Sequence, residues 1–540
     1  MDLSRKRVLV VGDPPGMLAS LRRALEVCAI RTPLAVRNAH EAVQRLRNMR
    51  FDIVLADFDL GQGPNGQQLL EHCRTQNLLA PAAVFVMVTA ERTYERVMSA
   101  AEFSPDDYLV KPFTADTLRL RLLRCIERRQ TLAQVYALKA KGRHEEILAA
   151  CDRVRADDPR FAPEAERLRT EALLALRQFG QARAECERVL AQRPAPWARL
   201  ALARAHEGLG ESERARAALT ELLADAPEYL AAYDALSQLH GRAQNDDDAK
   251  AVLRMALEVS PHVVHRHKSI GEIALRTNDL DTAEFAFGAL VRKGRNGFSR
   301  SPDDHLKLSR ILMERNKLPQ ALETLADVKK SFADSPVVKV AAAAVESLIF
   351  SKADNAKEAR KALTQALAAA KDGGLALSKD TAMELARACY LHHNEQEGAE
   401  LVQQLVSNNH DDDKLIANVR QMFTELDRTE QGDTLVERSV GNAVRVNNEG
   451  VARAKSGDLQ GAIELLEAAA ASMPENTHIV MNAAHALLVH MQVHGMQADK
   501  QAKVADYLQR VRARDPSHPK YLEVLALERQ VNVRQTEEAA

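Results

Sequence analysis

The chain changes its hydrophobic rhythm once. Over residues 6 to about 125, short apolar runs alternate with longer stretches of helical spacing. Val8-Leu9-Val10-Val11 ends in Gly12-Asp13-Pro14, and Ile53-Val54-Leu55-Ala56 ends in Asp57. Val84-Phe85-Val86-Met87-Val88 ends in Thr89, and Tyr108-Leu109-Val110 ends in Lys111-Pro112. Continuous apolar runs separated by helix-length segments, such as 17–28 and 39–49, predict a parallel sheet covered by helices on both faces. In an open sheet of this kind, ligands and chemistry gather beyond the carboxyl ends of the strands. The polar residues there are Asp13, Asp57, Thr89 and Lys111. Taken singly, each reads as a cap or an ordinary loop group; together, at the ends of four strands, they form a candidate site.

From about residue 130 the strand signal stops and a longer period begins. Ala182, Ala215, Ala249 and Ala283 sit in matching local contexts at steps of 33, 34 and 34 residues. Pro159, Pro194, Pro227 and Pro261 keep the same beat, at 35, 33 and 34. Each unit reads helix, Gly- or Asn-centred turn, helix, Pro. A period of 34 with paired helices predicts a helical solenoid, in which neighbouring units supply one another's core. Ala321, Ala359, Ala399 and Ala462 extend the series at steps of 38, 38, 40 and 63, so 400–440 is expected to hold a degenerate unit or a hinge. Between Thr114 and Lys141 there is neither Gly nor Pro, and apolar residues recur at Leu118, Leu122, Ile126, Ala133 and Leu138. Two arrangements fit this junction: one unbroken helix running from the first region into the solenoid, or two helices with a break near Arg128-Arg129-Gln130.

Composition narrows the function classes. With 540 residues the chain exceeds one compact core. Its 74 Lys+Arg against 75 Asp+Glu exclude a globally basic field, so neither nucleic-acid nor polybasic membrane binding is expected. No apolar run is long enough to cross a bilayer and the N-terminus has no signal-peptide pattern, which predicts a cytoplasmic protein with no membrane insertion. Cys28, Cys73, Cys125, Cys151, Cys186 and Cys389 are scattered without a CxxC pair, and are expected as reduced, mostly buried thiols.

The first region resembles the receiver domain of bacterial two-component response regulators, through Val8–Pro14, Asp52–Asp57, Val86–Ala90 and Asp107–Phe113 in that order. The resemblance implies a CheY-like, flavodoxin-like α/β fold with a five-stranded parallel sheet. It implies that Asp57 accepts a phosphoryl group from a sensor histidine kinase or a phosphotransfer protein. Thr89 and Lys111 would contact the phosphoryl oxygens, Tyr108 would be the aromatic that swings inward on activation, and Mg²⁺ would be held by Asp13, Asp57 and the backbone carbonyl of Asp59. Those roles make physical sense: a carboxylate attacks phosphorus once charge repulsion is cancelled, Mg²⁺ prefers hard oxygen ligands, and Lys and Thr supply fixed positive charge and a hydrogen bond. The chain departs from the family at Gly12, where an acidic residue is usual, and its loop Leu60–Gly66 is one residue longer than the commonest form.

The second region resembles the tetratricopeptide repeat (TPR), most clearly over 202–227 and 448–474, with Ala203, Gly271 and Gly450 as the small residues at the helix crossing. The expected organisation is a receiver over 1–128, an all-α TPR superhelical solenoid over 129–410, a degenerate repeat or hinge at 411–440, and a second subarray over 441–540 with a C-terminal capping helix. Such arrays bind proteins or peptides in a groove. Asn448 and Asn482, 34 residues apart, are the candidate groove residues, able to hydrogen-bond an extended backbone.

Other signals are weaker. His490 and His494 have i, i+4 spacing but no completing ligand, and read as surface histidines, as do His262, His265, His267, His392 and His393. Arg119, Arg121, Arg124, Arg128 and Arg129 make the junction basic, and without a helix-turn-helix pattern solvated or salt-bridged arginines are expected. No GxxxxGK[ST], HExxH or GxSxG is present, so no enzymatic output is expected. The leading expectation is a response regulator whose Asp57 is phosphorylated and whose TPR array is the protein-binding output. The alternative is a phosphorylation-independent pseudo-receiver acting as a scaffold or adaptor.

Overall fold

The computed structural model describes residues 3–12, 15–61, 63–89, 105–260, 264–294, 297–298, 300–373, 375, 377–515 and 518–538. By contact density the chain divides into two compact units, 1–311 and 312–540.

The first unit opens with the predicted sheet. Strands β1 (Val8–Val11), β2 (Leu34–Val36), β3 (Ile53–Asp57), β4 (Val84–Thr89) and β5 (Asp107–Val110) pair in parallel in the order β2-β1-β3-β4-β5. Alternate residues of each strand feed opposite cores, which is why the runs are apolar throughout. On one face Leu9, Val11, Val54, Ala56, Phe85 and Met87 pack with helices α2 (Ala39–Asn48) and α3 (Gly66–Thr75). On the other, Val8, Val10, Ile53, Leu55, Val86 and Val88 pack with α1 (Pro15–Val27) and the junction helix Ala115–Thr131. Helix starts follow capping chemistry. Asn38 accepts from Glu41 N at 2.9 Å, Thr114 accepts from Thr117 N at 3.1 Å, and Asn65 with Gln68 forms a reciprocal capping box.

The junction takes the two-helix form, with the break at Leu132 rather than near 128–130. The second helix is Ala133–Ala140. The hydrogen-bond ladder still crosses the break: Leu132 N donates to Arg128 O at 3.1 Å, and Tyr136 N donates to Leu132 O at 3.0 Å. Of the junction arginines, Arg119 and Arg124 are exposed, while Arg121, Arg128 and Arg129 are salt-bridged. Arg129 Nε meets the buried Asp106 at 2.5 Å, Arg128 meets it at 3.3 Å, and Arg121 meets Asp107 at 2.8 Å. The Arg129 guanidinium also lies 4.2 Å from the centre of the Tyr136 ring, tying sheet, junction and first solenoid helix into one chain of contacts.

Beyond the junction every element among the described residues is helical, and the helices come in pairs up to a final single helix, Pro519–Glu538. Each described turn within a pair holds one residue of positive φ: Gly142, Arg177, Gly210, Gln244 and Asn278 at steps of 35, 33, 34 and 34, then Asn316, Asp354 and His393 at steps of 38, 38 and 39. Asp427, Gly457 and Gly495 complete the series. The small residue of each second helix is buried at Ala182, Ala215, Ala249, Ala283, Ala321, Ala359 and Ala462. At one position the expected residue is displaced: Gly398, not Ala399, fills the slot, and a Cβ on it would sit 3.0 Å from the Tyr390 ring. The missing slot in the 63-residue step is Gly432, where a Cβ would meet Phe423 at 2.5 Å.

The segment 411–440 holds the helix Asp413–Glu425 and the start of a 27-residue helix, Thr429–Lys455. The first part of this long helix serves as the second helix of one pair, through Gly432 and Val436. Its last part serves as the first helix of the next, with Gly450 against Leu466. No proline occurs between Thr429 and Lys455 to interrupt the long helix.

The six cysteines are buried and unpaired. Burial pushes the thiols of Cys73, Cys125, Cys151, Cys186 and Cys389 up to about 12, which leaves them protonated and unreactive. Among the described residues no helix is long and apolar enough to cross a membrane.

Candidate functional site

Three of the four predicted strand-end residues converge. Asp57 closes β3 and is buried, at 7% exposure; Thr89 closes β4 and is buried beside it, at 5%. Register makes them neighbours: Asp57 pairs with Val88, and Phe58 N donates to Val88 O at 2.8 Å. Thr89 pairs in turn with Val110 of β5, and Lys111 N donates to Thr89 O at 2.8 Å. The Lys111 ammonium then reaches back across Thr89 and donates to Asp57 Oδ2 at 2.8 Å. The fourth residue, Asp13, lies outside the described residues, as does His262. Gly12 is described: it is buried, follows the β1 residue Val11 that pairs with Ala56, and donates its N–H to Val36 O at 3.0 Å.

The loop after Asp57 is held close by glycine. Gly61 and Gly63 have φ of 72° and 116°, where side chains are strained. Asp59 turns its carboxylate onto its own loop, accepting from Gly61 N at 3.0 Å. At Gly66, the first residue of α3, a Cβ would lie 2.1 Å from the Asp57 carbonyl oxygen and 2.9 Å from Met87 Sδ. Helix α3 is thus seated directly on the backbone of Asp57. Gly66→Ala should therefore destabilise the sheet domain by at least about 1–3 kcal/mol through forced backbone movement, measured by urea unfolding against the parent chain.

Tyr108 packs against the same core as α2 and α3, with its hydroxyl buried and without a hydrogen-bond partner among the described residues. Burial pushes its phenol well above the ordinary value. The residue as a whole is half-buried.

The two candidate groove residues do not act as a pair. Asn482 donates to Asn447 Oδ1 at 2.8 Å, while Asn448 is exposed on the Thr429–Lys455 helix. Within the second unit a cavity of about 1270 Å³ is lined by Leu401, Leu405, Val480 and Val511, together with Lys379 and Arg514; neither Asn448 nor Asn482 lines it. His267, at 5% exposure, departs from the expected surface position, and so does His490. The latter is buried, at 9% exposure, with Lys500 Nζ 3.2 Å from Nδ1, and burial, Lys500 and His494 all hold its pKa below the usual range. A cation in that place opposes metal binding. Among the described residues no group of three or more His, Cys, Asp or Glu side chains is placed to hold a metal.

The response regulator receiver domain family matches residues 8–123, and a tetratricopeptide repeat family matches 167–229. The chain is 30% identical over 122 residues to the chemotaxis protein CheY-3 of Vibrio cholerae, covering 23% of this chain and 92% of that protein. It is 30% identical over 189 residues to the alginate biosynthesis transcriptional regulatory protein AlgB of Pseudomonas aeruginosa, but spans only 40% of that relative's length and 34% of its own. Among solved structures, a CheY-like response regulator receiver domain protein from Methanospirillum hungatei is similar at 25% identity, over 23% of this chain and 96% of that one, with a TM-score of 0.21. Through its first 123 or so residues, which carry the sheet, the Asp57–Lys111 pair and Thr89, the chain belongs to the response regulator receiver family, and a tetratricopeptide-repeat solenoid follows.

Proposed function

We propose that this protein is a two-component response regulator: a sensor histidine kinase or phosphotransfer protein phosphorylates Asp57, and the TPR solenoid is the protein-binding output. The observation that carries the reading is the 2.8 Å pair between Lys111 Nζ and Asp57 Oδ2, with Thr89 held between their strands. A carboxylate oxygen of Asp57 attacks the donor's phosphorus. The new O–P bond forms as the bond to the leaving group breaks, and the leaving group (imidazole of a phosphohistidine, or acetate from acetyl phosphate) departs with the electron pair. Lys111 neutralises charge on the phosphoryl oxygens, and the Thr89 hydroxyl donates to one of them.

The oxygens available suit a hard divalent ion: a buried carboxylate on Asp57 and a peptide carbonyl at Asp59, whose own carboxylate is engaged within its loop. Asp57, the Asp59 carbonyl and Asp13 would hold Mg²⁺, which screens the charge between carboxylate and phosphoryl group. Gly12 supplies no carboxylate, so Mg²⁺ affinity is expected to be lower than with two acidic residues there. Gly12 is also the observation behind a second reading, a phosphorylation-independent scaffold. The solenoid partner is proposed as a protein segment seated in the cavity of the second unit. The reading places the protein in the cytoplasm, with no catalytic output of its own.

Incubation with Mg²⁺ and acetyl phosphate, read by intact mass, should give a single phosphoryl adduct that is lost on chelation of the metal. Absence of an adduct, with Mg²⁺ affinity no higher than that of Asp57→Ala, would establish the scaffold instead.

A further inference from the structure

Within the first unit the solenoid touches the receiver far from the junction. Phe298, which follows the helix Leu280–Gly294, packs on the core beneath α2 and α3. Its ring stacks on His72 of α3, with centroids 4.3 Å apart and planes at 22°, and lies 5.0 Å from His40 of α2. Gly297 comes so close to α3 that a Cβ on it would sit 3.1 Å from Gln68 Nε2. One turn along, Glu71 feels the imidazole of His265, on the solenoid helix Val264–Arg276, while burial raises its pKa. Gln68 and His72 are i, i+4 neighbours, so the contacts trace one stripe of α3.

The stripe is imperfectly satisfied. His72 Nε2 is buried without a hydrogen-bond partner among the described residues, and so is Oε1 of Gln67. A buried polar atom left unpaired costs about 1–3 kcal/mol, which offsets much of what one aromatic contact contributes. Such a contact is held marginally and is open to release.

The other end of α3 is fixed to the phosphoacceptor. Gly66 lies against the Asp57 carbonyl with no side chain between, and its N–H donates to Phe58 O at 2.9 Å. With no side chain between them, any shift of the Asp57 backbone on phosphorylation would press directly on the start of α3.

We propose that Gly297–Phe298 is an intramolecular latch on the α2–α3 face of the receiver, closed while Asp57 is unmodified and released by its phosphorylation. The latch makes the chain's own solenoid the partner of that face, and α3 the element that carries the signal. The gating rests on the phosphorylation proposed above; the latch itself does not.

The test uses the full chain and diethyl pyrocarbonate labelling of His72 and His40, read by peptide mass spectrometry. In unmodified protein His72, whose Nε2 is buried, should label more slowly than the exposed His40. Phe298→Ala should raise the His72 rate at least about threefold with no phosphodonor, and Phe298→Leu, which keeps an apolar plug, should raise it less. Acetyl phosphate with Mg²⁺ should raise the parent's rate comparably and leave Asp57→Asn unchanged. An unchanged rate in Phe298→Ala overturns the latch. A faster rate in Phe298→Ala, but not in parent protein whose adduct is verified in the same sample, overturns the gating and leaves the proposed function standing. Absence of the adduct overturns both the gating and that function.

Discussion

Asp57→Asn should leave the chain unable to take up a phosphoryl group from acetyl phosphate, with labelling reduced at least about a hundredfold. The substitution is nearly isosteric, and its amide oxygen can still accept from Lys111, which now donates to Asp57 at 2.8 Å. What it removes is the nucleophile, because an amide oxygen has neither the charge nor the basicity to displace a leaving group from phosphorus. Far-UV circular dichroism and the urea midpoint should stay close to the parent's, separating loss of chemistry from loss of fold. Equal labelling of Asp57→Asn would place the phosphoryl group elsewhere and remove Asp57 from the proposed role.

The second large effect is structural. Asp106→Ala should cost the receiver about 3–5 kcal/mol, the range for breaking a buried ion pair by deleting one partner. The Asp106 carboxylate is almost wholly enclosed and serves three donors at once: Phe85 N at 2.9 Å, Arg129 Nε at 2.5 Å and Arg128 Nη2 at 3.3 Å. Alanine leaves the Arg129 cation, itself only 9% exposed at the side chain, without its counter-charge and strands a buried amide. Hydrogen exchange of the β4 and β5 amides in the full chain measures this directly, since those strands report opening of the sheet. A loss below about 1 kcal/mol would show that Arg129 finds solvent or another acceptor.

The strand-end residues were legible because a sheet covered on both faces confines polarity to its ends. Asp57, Thr89 and Lys111 had no other explanation in common, and the register brings all three together. The repeat slots at Gly398 and Gly432 were harder to see. The small residue shrinks to glycine where the facing helix carries Tyr390 or Phe423, so a search by alanine steps misses the compensating pair. Turn positions were obscured for a related reason: Arg177, Gln244, Asp354 and His393 adopt the left-handed conformation that the pattern assigns to Gly or Asn. Asn482 looked free because its partner, Asn447, comes from a different helix, and His490 looked exposed because Lys500 does. No period in the chain could have paired Phe298 with His72. Contacts between residues so far apart in sequence follow from how the whole unit packs.

The long helix Thr429–Lys455 has a mechanical consequence. In an ordinary array each repeat can swing or melt at the turn on either side of it, and stability is shared step by step between neighbours. Here two consecutive repeats share one rod, so bending or fraying one of them means breaking a continuous ladder of backbone bonds. These two repeats should stretch, unfold and resist proteolytic nicking as a single block, a stiff splint set into an otherwise jointed chain.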